Sequence, residues 1–203
     1  MLADLLSSTY EITPGKKPAF VLAGQSNAAS GYLYLQMLRV LNRAGVPYQI
    51  IWDAHPGQQI SYWYTTTPQT GYTELTAAID ALDSDYEVRG IFWIQGEWNA
   101  LYGTTANFQT YTENMFNALI AHLGYTPDIN ISKVWYAGSD AGVQADMATI
   151  RTLQDAIQTT YTGRKIDIYH YSRFDDWHLW PYEYENLAYD LLIEYAGWKT
   201  GAI

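Results

Sequence analysis

One serine of the chain has surroundings suited to nucleophilic chemistry. Ser26 lies in the run Gly24-Gln25-Ser26-Asn27, directly after the apolar stretch 20–23. A hydroxyl at the end of a strand and above the start of a helix can attack an ester carbonyl if a base removes its proton. A serine at such a place can equally be the N-cap of the helix. Ser26 is therefore either a helix cap or a nucleophile, and its partners decide which.

A base and a carboxylate to orient it occur together near the end of the chain. His178 follows Asp175 by three residues, in a loop after the apolar stretch 166–171. An imidazole with an ordinary pKa near ~6.5 can take the serine proton, and a carboxylate fixes the required tautomer. Ordinary turn capping is the alternative. We predict Asp175 as the orienter and His178 as the base, with the adjacent Asp176 facing the other way.

Two further loops offer donors for the charge that develops during ester hydrolysis. Gln95 follows the apolar stretch 90–94, and Gly57 lies in a Pro-Gly turn after another such stretch. Pre-aimed donors around an oxyanion are each worth ~3 kcal/mol of barrier. Either residue could instead have only a structural role: Gln95 could hold its loop in place by hydrogen bonds, and Gly57 could belong to a plain Pro-Gly turn. Glu97 is predicted to be a structural carboxylate, held by loop donors.

The apolar pattern predicts a scaffold that brings these four loops together. Five apolar, β-branched or aromatic stretches are typical of strands, and the segments between them have helical spacing. The predicted strands are 18–23, 46–53, 88–94, 131–137 and 165–171, and the predicted helices are 32–44, 73–82, 107–123, 147–160 and 184–197. This alternation predicts an α/β fold, a three-layer α/β/α sandwich with a five-stranded parallel sheet. Ligands bind such sheets at the carboxyl ends of the strands, where all four loops fall.

Length and charge exclude several classes of protein. With 203 residues we expect one domain, 1–203. The net charge of −10 argues against nucleic acid or an anionic membrane surface as a partner and favours an uncharged substrate. No cysteine is present, and the histidines at positions 55, 122, 170 and 178 form no metal-binding motif, so neither a metal nor a cofactor is predicted.

The sequence shows neither a membrane-spanning segment nor a secretory signal. No apolar run approaches the ~20 residues of a membrane helix. The amino-terminal residues lack the basic segment and long apolar stretch of a secretory signal, so the localisation stays open. The compact size, acidic charge and composition would suit a domain of a larger protein that processes surface polysaccharide, such as a phage tail component.

The four loops together resemble the four sequence blocks of SGNH hydrolases, in the same order. The matching segments are Gly-Gln-Ser26-Asn, the Gly57 turn, Gln95-Gly-Glu and Asp-x-x-His178. Gly-Gln-Ser-Asn combined with Gln-Gly-Glu is similar to the branch of sialate O-acetylesterases and acetyl xylan esterases. The resemblance implies the flavodoxin-like SGNH fold. Two positions depart from that branch: Asn99, where Asp is frequent, and Gln58, where Gly or Ser is frequent.

The resemblance also implies a role for each matching residue. Ser26 is the expected nucleophile, His178 the base and Asp175 its orienter. The oxyanion hole would consist of the backbone N–H groups of Ser26 and Gly57 and the side-chain amide of Gln95. The implied reaction is removal of O-acetyl groups from carbohydrate through an acyl-enzyme, which requires no cofactor.

Aromatic residues near the predicted site bear on the substrate. The chain has 8 Trp and 19 Tyr, and those beside the catalytic loops include Tyr32, Trp63, Trp98, Tyr102, Trp177 and Trp180. Such rings can stack on sugar faces, although most aromatic residues fill the core. Trp98 and Trp177 adjoin catalytic loops most closely, and we expect them to bind substrate and to leave room only for a short acyl group.

Two other functions remain possible from the sequence. One is a short-chain esterase or lipase that acts on non-sugar esters, although no inserted lid segment is evident. The other is a catalytically idle sugar-binding module, which would be expected to have lost one of Ser26, Asp175 or His178; all three are present. An acetylated carbohydrate is therefore the expected partner of the site.

Overall fold

A computed structural model describes residues 15–45, 47–173 and 175–194 and has one central sheet. The strands are β1 (Lys17–Gly24), β2 (Gln49–Ala54), β3 (Tyr86–Ile94), β4 (Asp128–Lys133) and β5 (Lys165–Asp167). They pair in the order β2-β1-β3-β4-β5, and every pair is parallel. The predicted α/β class with a five-stranded parallel sheet is confirmed. β2 lies on one side of β1, and all later strands lie on the other side. A crevice is therefore expected between the carboxyl ends of β1 and β3, where the strand order reverses.

Helices connect the strands. They are α1 (Gly31–Ala44), α2 (Ile60–Trp63), α3 (Thr70–Asp80), α4 (Glu97–Leu101), α5 (Phe108–Leu123), α6 (Ala141–Thr160) and α7 (Glu183–Tyr189). A 3₁₀ turn at Ile168–His170 follows β5, and a π-helical turn at Asp190–Glu194 continues α7. Among the described residues, no helix combines the length and apolar character needed to cross a membrane.

Strand β1 is buried on both of its faces, as its unbroken apolar sequence predicts. Phe20 and Leu22 pack in one cluster with Leu33 and Met37 of α1, whereas Val21 belongs to the cluster on the opposite face of the sheet. The spacing of four residues between Leu33 and Met37 places both on one side of α1. This burial makes β1 a rigid support for the loop that follows it.

Strand β4 is shorter than predicted. It ends at Lys133, although the apolar run continues to residue 137. The reason is that side chains of α6 bind the backbone of the next residue: Gln154 accepts from the Val134 N–H at 3.2 Å, and Arg151 donates to the Val134 carbonyl at 2.9 Å. These groups are then unavailable to the sheet.

Strand β5 is also shorter than predicted. It ends at Asp167, whose carboxylate accepts the N–H of Tyr169 at 3.0 Å and so starts the 3₁₀ turn. Other differences concern helix bounds: α6 begins at Ala141 because Asp140 accepts the Val143 N–H at 3.0 Å and caps it. The predicted positions 46 and 195–197 lie outside the described residues.

Candidate active site

The structure brings three of the predicted catalytic and oxyanion-hole residues to one cavity at the carboxyl ends of the strands. Ser26, Gly57 and His178 line a cavity of about 290 Å³, together with Gln25, Pro56, Glu97, Trp98 and Trp177. We call it the Trp98 cavity. The parallel sheet explains this convergence, because the segments after β1, β2, β3 and β5 all leave the same edge.

Ser26 does not have the position of a helix cap. Helix α1 begins at Gly31 and the N-cap residue is Ser30, whereas Ser26 lies in a preceding turn closed by the N–H of Ala29 donating to the Gln25 carbonyl at 2.8 Å. The capping interpretation of Ser26 therefore does not apply to α1. Its place in the wall of the Trp98 cavity fits the other interpretation, a nucleophile.

Asp175 and His178 form the pair that the spacing predicts. The Oδ2 atom of Asp175 lies 2.7 Å from Nδ1 of His178, while Oδ1 accepts the backbone N–H groups of Trp177 and His178, each at 2.7 Å. Partial burial by itself would raise the pKa of Asp175, but the hydrogen bonds from His178 and Trp177 lower it below its ordinary value. Asp175 is thus an ionised carboxylate at neutral pH.

Asn27 connects the serine loop to the histidine loop. This residue is fully buried, and its amide nitrogen donates to the Trp177 carbonyl at 3.2 Å while its oxygen accepts the Leu179 N–H at 3.4 Å. Asn27 therefore binds the residues on both sides of His178. Because it directly follows Ser26, it sets the position of the histidine loop relative to the serine. The sequence placed Asn27 in the motif but gave no indication of this contact.

Glu97 is a buried carboxylate in the wall of the Trp98 cavity. It is 2% exposed, and its Oε1 accepts the Asn27 amide at 3.1 Å. Its Oε2 has no hydrogen-bond partner among the described residues. Burial raises the pKa of Glu97, and the bonds from its own backbone and from Asn27 offset this only in part. Asn27 is a donor of the kind that the sequence analysis expected around this carboxylate.

Two contacts join the loop after β1 to the loop after β3. The Gln25 side-chain oxygen accepts the N–H groups of Gly96 and Trp98, both at 3.3 Å. Gly24 has a φ of 132°, and a Cβ there would lie 2.0 Å from the Ile94 carbonyl oxygen, so only glycine permits this approach. The first two residues of the serine motif therefore hold two loops of the candidate site together.

Gly57 has the conformation that its turn requires. Its φ is 71°, in the left-handed region that favours glycine. A Cβ at this position would make ordinary contact with the Trp98 ring at 3.8 Å, so the backbone angle and not the available space calls for glycine. Gly57 lies in the cavity wall, where its N–H group could face a substrate oxygen; that role stays a prediction.

The Gln95 side chain is not among the residues that line the Trp98 cavity. Gln95 is fully buried, its amide donates to the Gln58 carbonyl at 2.9 Å, and its own backbone carbonyl accepts the Gln154 amide at 2.9 Å. These hydrogen bonds hold the loop in place, which is the structural role that was the alternative for Gln95. The amide anchors the segment beside Gly57. Direct donation to an oxyanion by Gln95 would require this bond to be exchanged, and it stays a prediction.

We expect the substitution Gln95→Ala to lower kcat about 10²-fold, as for loss of an oxyanion donor or of its support. Loss of the buried bond to Gln58 costs about 1–3 kcal/mol of stability, a fall in Tm of about 2–4 °C per kcal/mol. The two readouts are steady-state kinetics and thermal unfolding. Gln58→Ala is the matched control, since it keeps the carbonyl acceptor and should change neither. An unchanged kcat in Gln95→Ala would exclude both roles.

Asn99 shows why this chain departs from the Asp that is frequent in the similar branch. Its side-chain oxygen accepts the Ile60 N–H at 3.0 Å, and its nitrogen donates to the Thr104 carbonyl at 3.1 Å. A carboxylate could accept the first bond but could not donate the second. The asparagine thus joins α2 to the end of α4 behind the cavity.

Both predicted substrate-binding tryptophans line the Trp98 cavity. Each is half-buried and packs on a tyrosine: Trp98 on Tyr102 with ring centroids 5.0 Å apart, and Trp177 on Tyr136 at 4.5 Å. Tyr136 is buried and supports the Trp177 ring, whereas Tyr102 is itself 58% exposed. Trp63, in contrast, is fully buried in the core and cannot meet substrate. The assignment of substrate binding to Trp98 and Trp177 stays a prediction.

A possible cation-binding group lies outside the Trp98 cavity. The ligand atoms of Asp53, His55 and Glu74 lie within 4.8 Å of one another. The same atoms already interact among themselves and with Tyr62: His55 Nε2 is 2.7 Å from Asp53 Oδ1, and the Tyr62 hydroxyl donates to Glu74 Oε2 at 2.9 Å. Glu74 is distant from the other two residues along the chain, so no sequence motif joins the three.

The five-stranded parallel sheet, with the candidate site at its carboxyl edge, is a fold that this chain shares with solved structures of SGNH hydrolases. Residues 30–167 match the family model for "Carbohydrate esterase, sialic acid-specific acetylesterase" (SASA), which is 138 of the 203 residues. The chain therefore belongs to the SASA carbohydrate esterase family, and it is a carboxylic ester hydrolase. The matched range contains Gly57 and Gln95 but does not include Ser26, Asp175 or His178.

Solved structures share the fold at low sequence identity. A protein of Arabidopsis thaliana has a TM-score of 0.71 and 13% identity, over 89% of this chain and 98% of that one. A carbohydrate acetylesterase from Xanthomonas citri has 0.71 and 15%, over 91% of this chain and 56% of that one, so this chain spans about half of its length. A carbohydrate acetylesterase from Sinorhizobium meliloti has 0.63 and 11%, over 90% and 100%. A search of the curated proteins finds no match.

Proposed function

We propose that this protein is a serine esterase that removes O-acetyl groups from carbohydrate through an acyl-enzyme. One observation carries the proposal: Ser26 and His178 line the same cavity, and the Asp175 carboxylate lies 2.7 Å from the His178 Nδ1 atom. A hydroxyl, an imidazole and an orienting carboxylate are the set that acyl transfer by serine requires. Gly57, in the same wall, offers a backbone N–H for the oxyanion.

In the proposed mechanism, Ser26 Oγ attacks the ester carbonyl while His178 takes its proton. The N–H groups of Ser26 and Gly57 hold the negative charge on the carbonyl oxygen, with the Gln95 amide as a third donor or as the support of the Gly57 loop. The alcohol leaves with the proton from His178. Water then attacks the acyl-enzyme, His178 accepts a proton from it, and acetate is released as Ser26 regains its proton.

The walls of the Trp98 cavity favour a short acyl group in the proposed reaction. Two tryptophans that pack on neighbouring tyrosines line the space beside Ser26, and bulky aromatic walls leave less room for a long acyl chain. A short acyl group is therefore the proposed substrate. The family, and the carbohydrate acetylesterases with the same fold, support acetate on a sugar.

We expect kcat/KM for p-nitrophenyl esters to fall at least about 10-fold between the acetate and the octanoate, because a rigid cavity costs each badly fitting group about 1–3 kcal/mol. The measurement is initial rates for C2, C4, C6 and C8 esters, with acetylated xylo-oligosaccharides assayed by acetate release. Trp98→Ala should raise the octanoate-to-acetate ratio by widening the cavity. The matched control is Trp180→Ala, because Trp180 does not line the Trp98 cavity. A preference of the wild type for octanoate would contradict the acetylesterase proposal.

A further inference from the structure

A second, larger depression adjoins the Trp98 cavity. Its volume is about 390 Å³, and it shares Ser26, Pro56 and His178 with the first. Its other walls are Ser30, Tyr32, Leu179, Pro181 and Tyr184. We call it the Tyr32 groove. An ester bound at Ser26 therefore meets two separate spaces, one for each side of the scissile bond.

The position of Gly57 indicates which half of the ester binds in each of the two spaces. It lines the Trp98 cavity and is not among the residues of the Tyr32 groove. In the proposed reaction the carbonyl oxygen faces the Gly57 N–H, and the acyl half is assigned to the Trp98 cavity, whose wall contains Gly57. The alcohol oxygen must face His178, which lines both spaces. The alcohol half then extends into the Tyr32 groove.

The Tyr32 groove has the walls of a site for an uncharged ring. Tyr32 is 56% exposed and stacks on Tyr184, with ring centroids 6.4 Å apart and planes 12° apart. Tyr184 is buried, and its hydroxyl donates to Asn27 at 2.9 Å, so it is a fixed support for the Tyr32 ring. An exposed, supported aromatic ring packs well against the apolar face of a sugar.

The described walls of the two spaces lack the lysine or arginine that usually pairs with a carboxylate. Among the described residues that line the Trp98 cavity or the Tyr32 groove there is no lysine or arginine, and the Trp98 cavity contains the carboxylate of Glu97. Arg173, in the same loop as His178, directs its terminal nitrogens to the carbonyls of Tyr171 at 2.8 Å and Ile168 at 3.0 Å. The net charge of −10 adds a field that repels anions.

We infer that the acetylated alcohol is a neutral sugar packed against Tyr32, and that an acetylated sialic acid is a poor substrate in spite of the name of the family. This inference rests on the proposed esterase function. A substrate carboxylate that enters either space would lose water there without gaining a lysine or arginine partner, which disfavours it relative to an uncharged sugar of similar size.

The first arm of the test varies only the charge of the substrate. We would compare acetate release from 9-O-acetyl-N-acetylneuraminic acid and from its carboxyl methyl ester, with a monoacetylated xylotriose as the neutral sugar. We expect kcat/KM to be at least about 10-fold higher for the methyl ester than for the free acid, and higher again for the xylotriose. Equal or faster turnover of the free acid would overturn the inference.

The second arm tests the Tyr32 groove. We expect Tyr32→Ala to lower the ratio of kcat/KM for acetylated xylotriose to kcat/KM for p-nitrophenyl acetate by about 10-fold. Tyr189→Ala is the matched control, since Tyr189 is 52% exposed and lines neither space, and it should leave the ratio unchanged. An unchanged ratio in Tyr32→Ala would overturn the groove assignment.

Ser26-dependent hydrolysis of p-nitrophenyl acetate separates failure of the inference from failure of the proposed function. If the Ser26→Ala variant and the wild type release p-nitrophenol equally slowly, the esterase proposal fails and the inference fails with it. If hydrolysis depends on Ser26 but the free sialic acid is preferred, the inference alone is overturned.

Discussion

The Ser26→Ala variant is expected to hydrolyse p-nitrophenyl acetate at least about 10⁴-fold more slowly than the wild type. The Ser26 hydroxyl is the proposed nucleophile, and it lines both spaces that an ester at this site would occupy. Without it no acyl-enzyme can form, and only the donors around the carbonyl oxygen remain to assist water. The measurement is the initial rate of p-nitrophenol release, together with a search for a burst in the wild type and its absence in the variant.

Thermal unfolding of the same variant excludes an indirect cause. Ser30, and not Ser26, is the N-cap residue of α1, so removing the Ser26 hydroxyl should leave Tm close to that of the wild type. A purely structural role would give the opposite pattern: loss of a helix cap costs about 1 kcal/mol of stability without abolishing turnover. A folded Ser26→Ala protein that retains wild-type turnover would exclude the proposed mechanism.

The fold was predictable because its main determinants are local. Strands buried on both faces are continuous apolar runs, and β1 and β3 follow such runs closely. The ends of β4 and β5 were not predictable in the same way. Val134 has an apolar side chain suited to a strand, but its backbone is bound by Gln154 and Arg151 from α6. Contacts of that kind join residues that are distant along the chain and leave no periodic signal.

In the candidate site, too, the positions of residues along the strands were predictable and the contacts of single side chains were not. The proximity of Ser26, Gly57 and His178 was predictable from the sequence. Each residue follows a predicted strand, and the carboxyl ends of parallel strands share an edge. The packing of individual side chains could not. The sequence shows that Gln95 has an amide but not that it points at the Gln58 carbonyl. It likewise shows Asn27 beside the serine but not its two bonds around His178.

Asp175→Asn is expected to lower kcat about 10³–10⁴-fold. In the proposed triad the Asp175 Oδ2 atom, which lies 2.7 Å from Nδ1 of His178, accepts the proton of that nitrogen and leaves Nε2 without a proton, as the base for the serine. An amide nitrogen at the Oδ2 position would donate to Nδ1 and favour the other tautomer, in which Nε2 carries the proton and cannot take another. The fold should survive, because the Asn oxygen can still accept the N–H groups of Trp177 and His178.

Asp176→Asn is the matched control for this prediction. The two carboxylates are neighbours in one loop and the substitution removes the same charge, but it is Asp175 that bonds to the imidazole, while the backbone carbonyl of Asp176 accepts the Ala137 N–H at 3.0 Å. That backbone bond is unaffected by the substitution, so kcat should change less than about 3-fold, as for a surface charge near a site. A larger loss in Asp176→Asn than in Asp175→Asn would show that the carboxylate was assigned wrongly. Equal small losses would show that His178 acts without an orienting carboxylate.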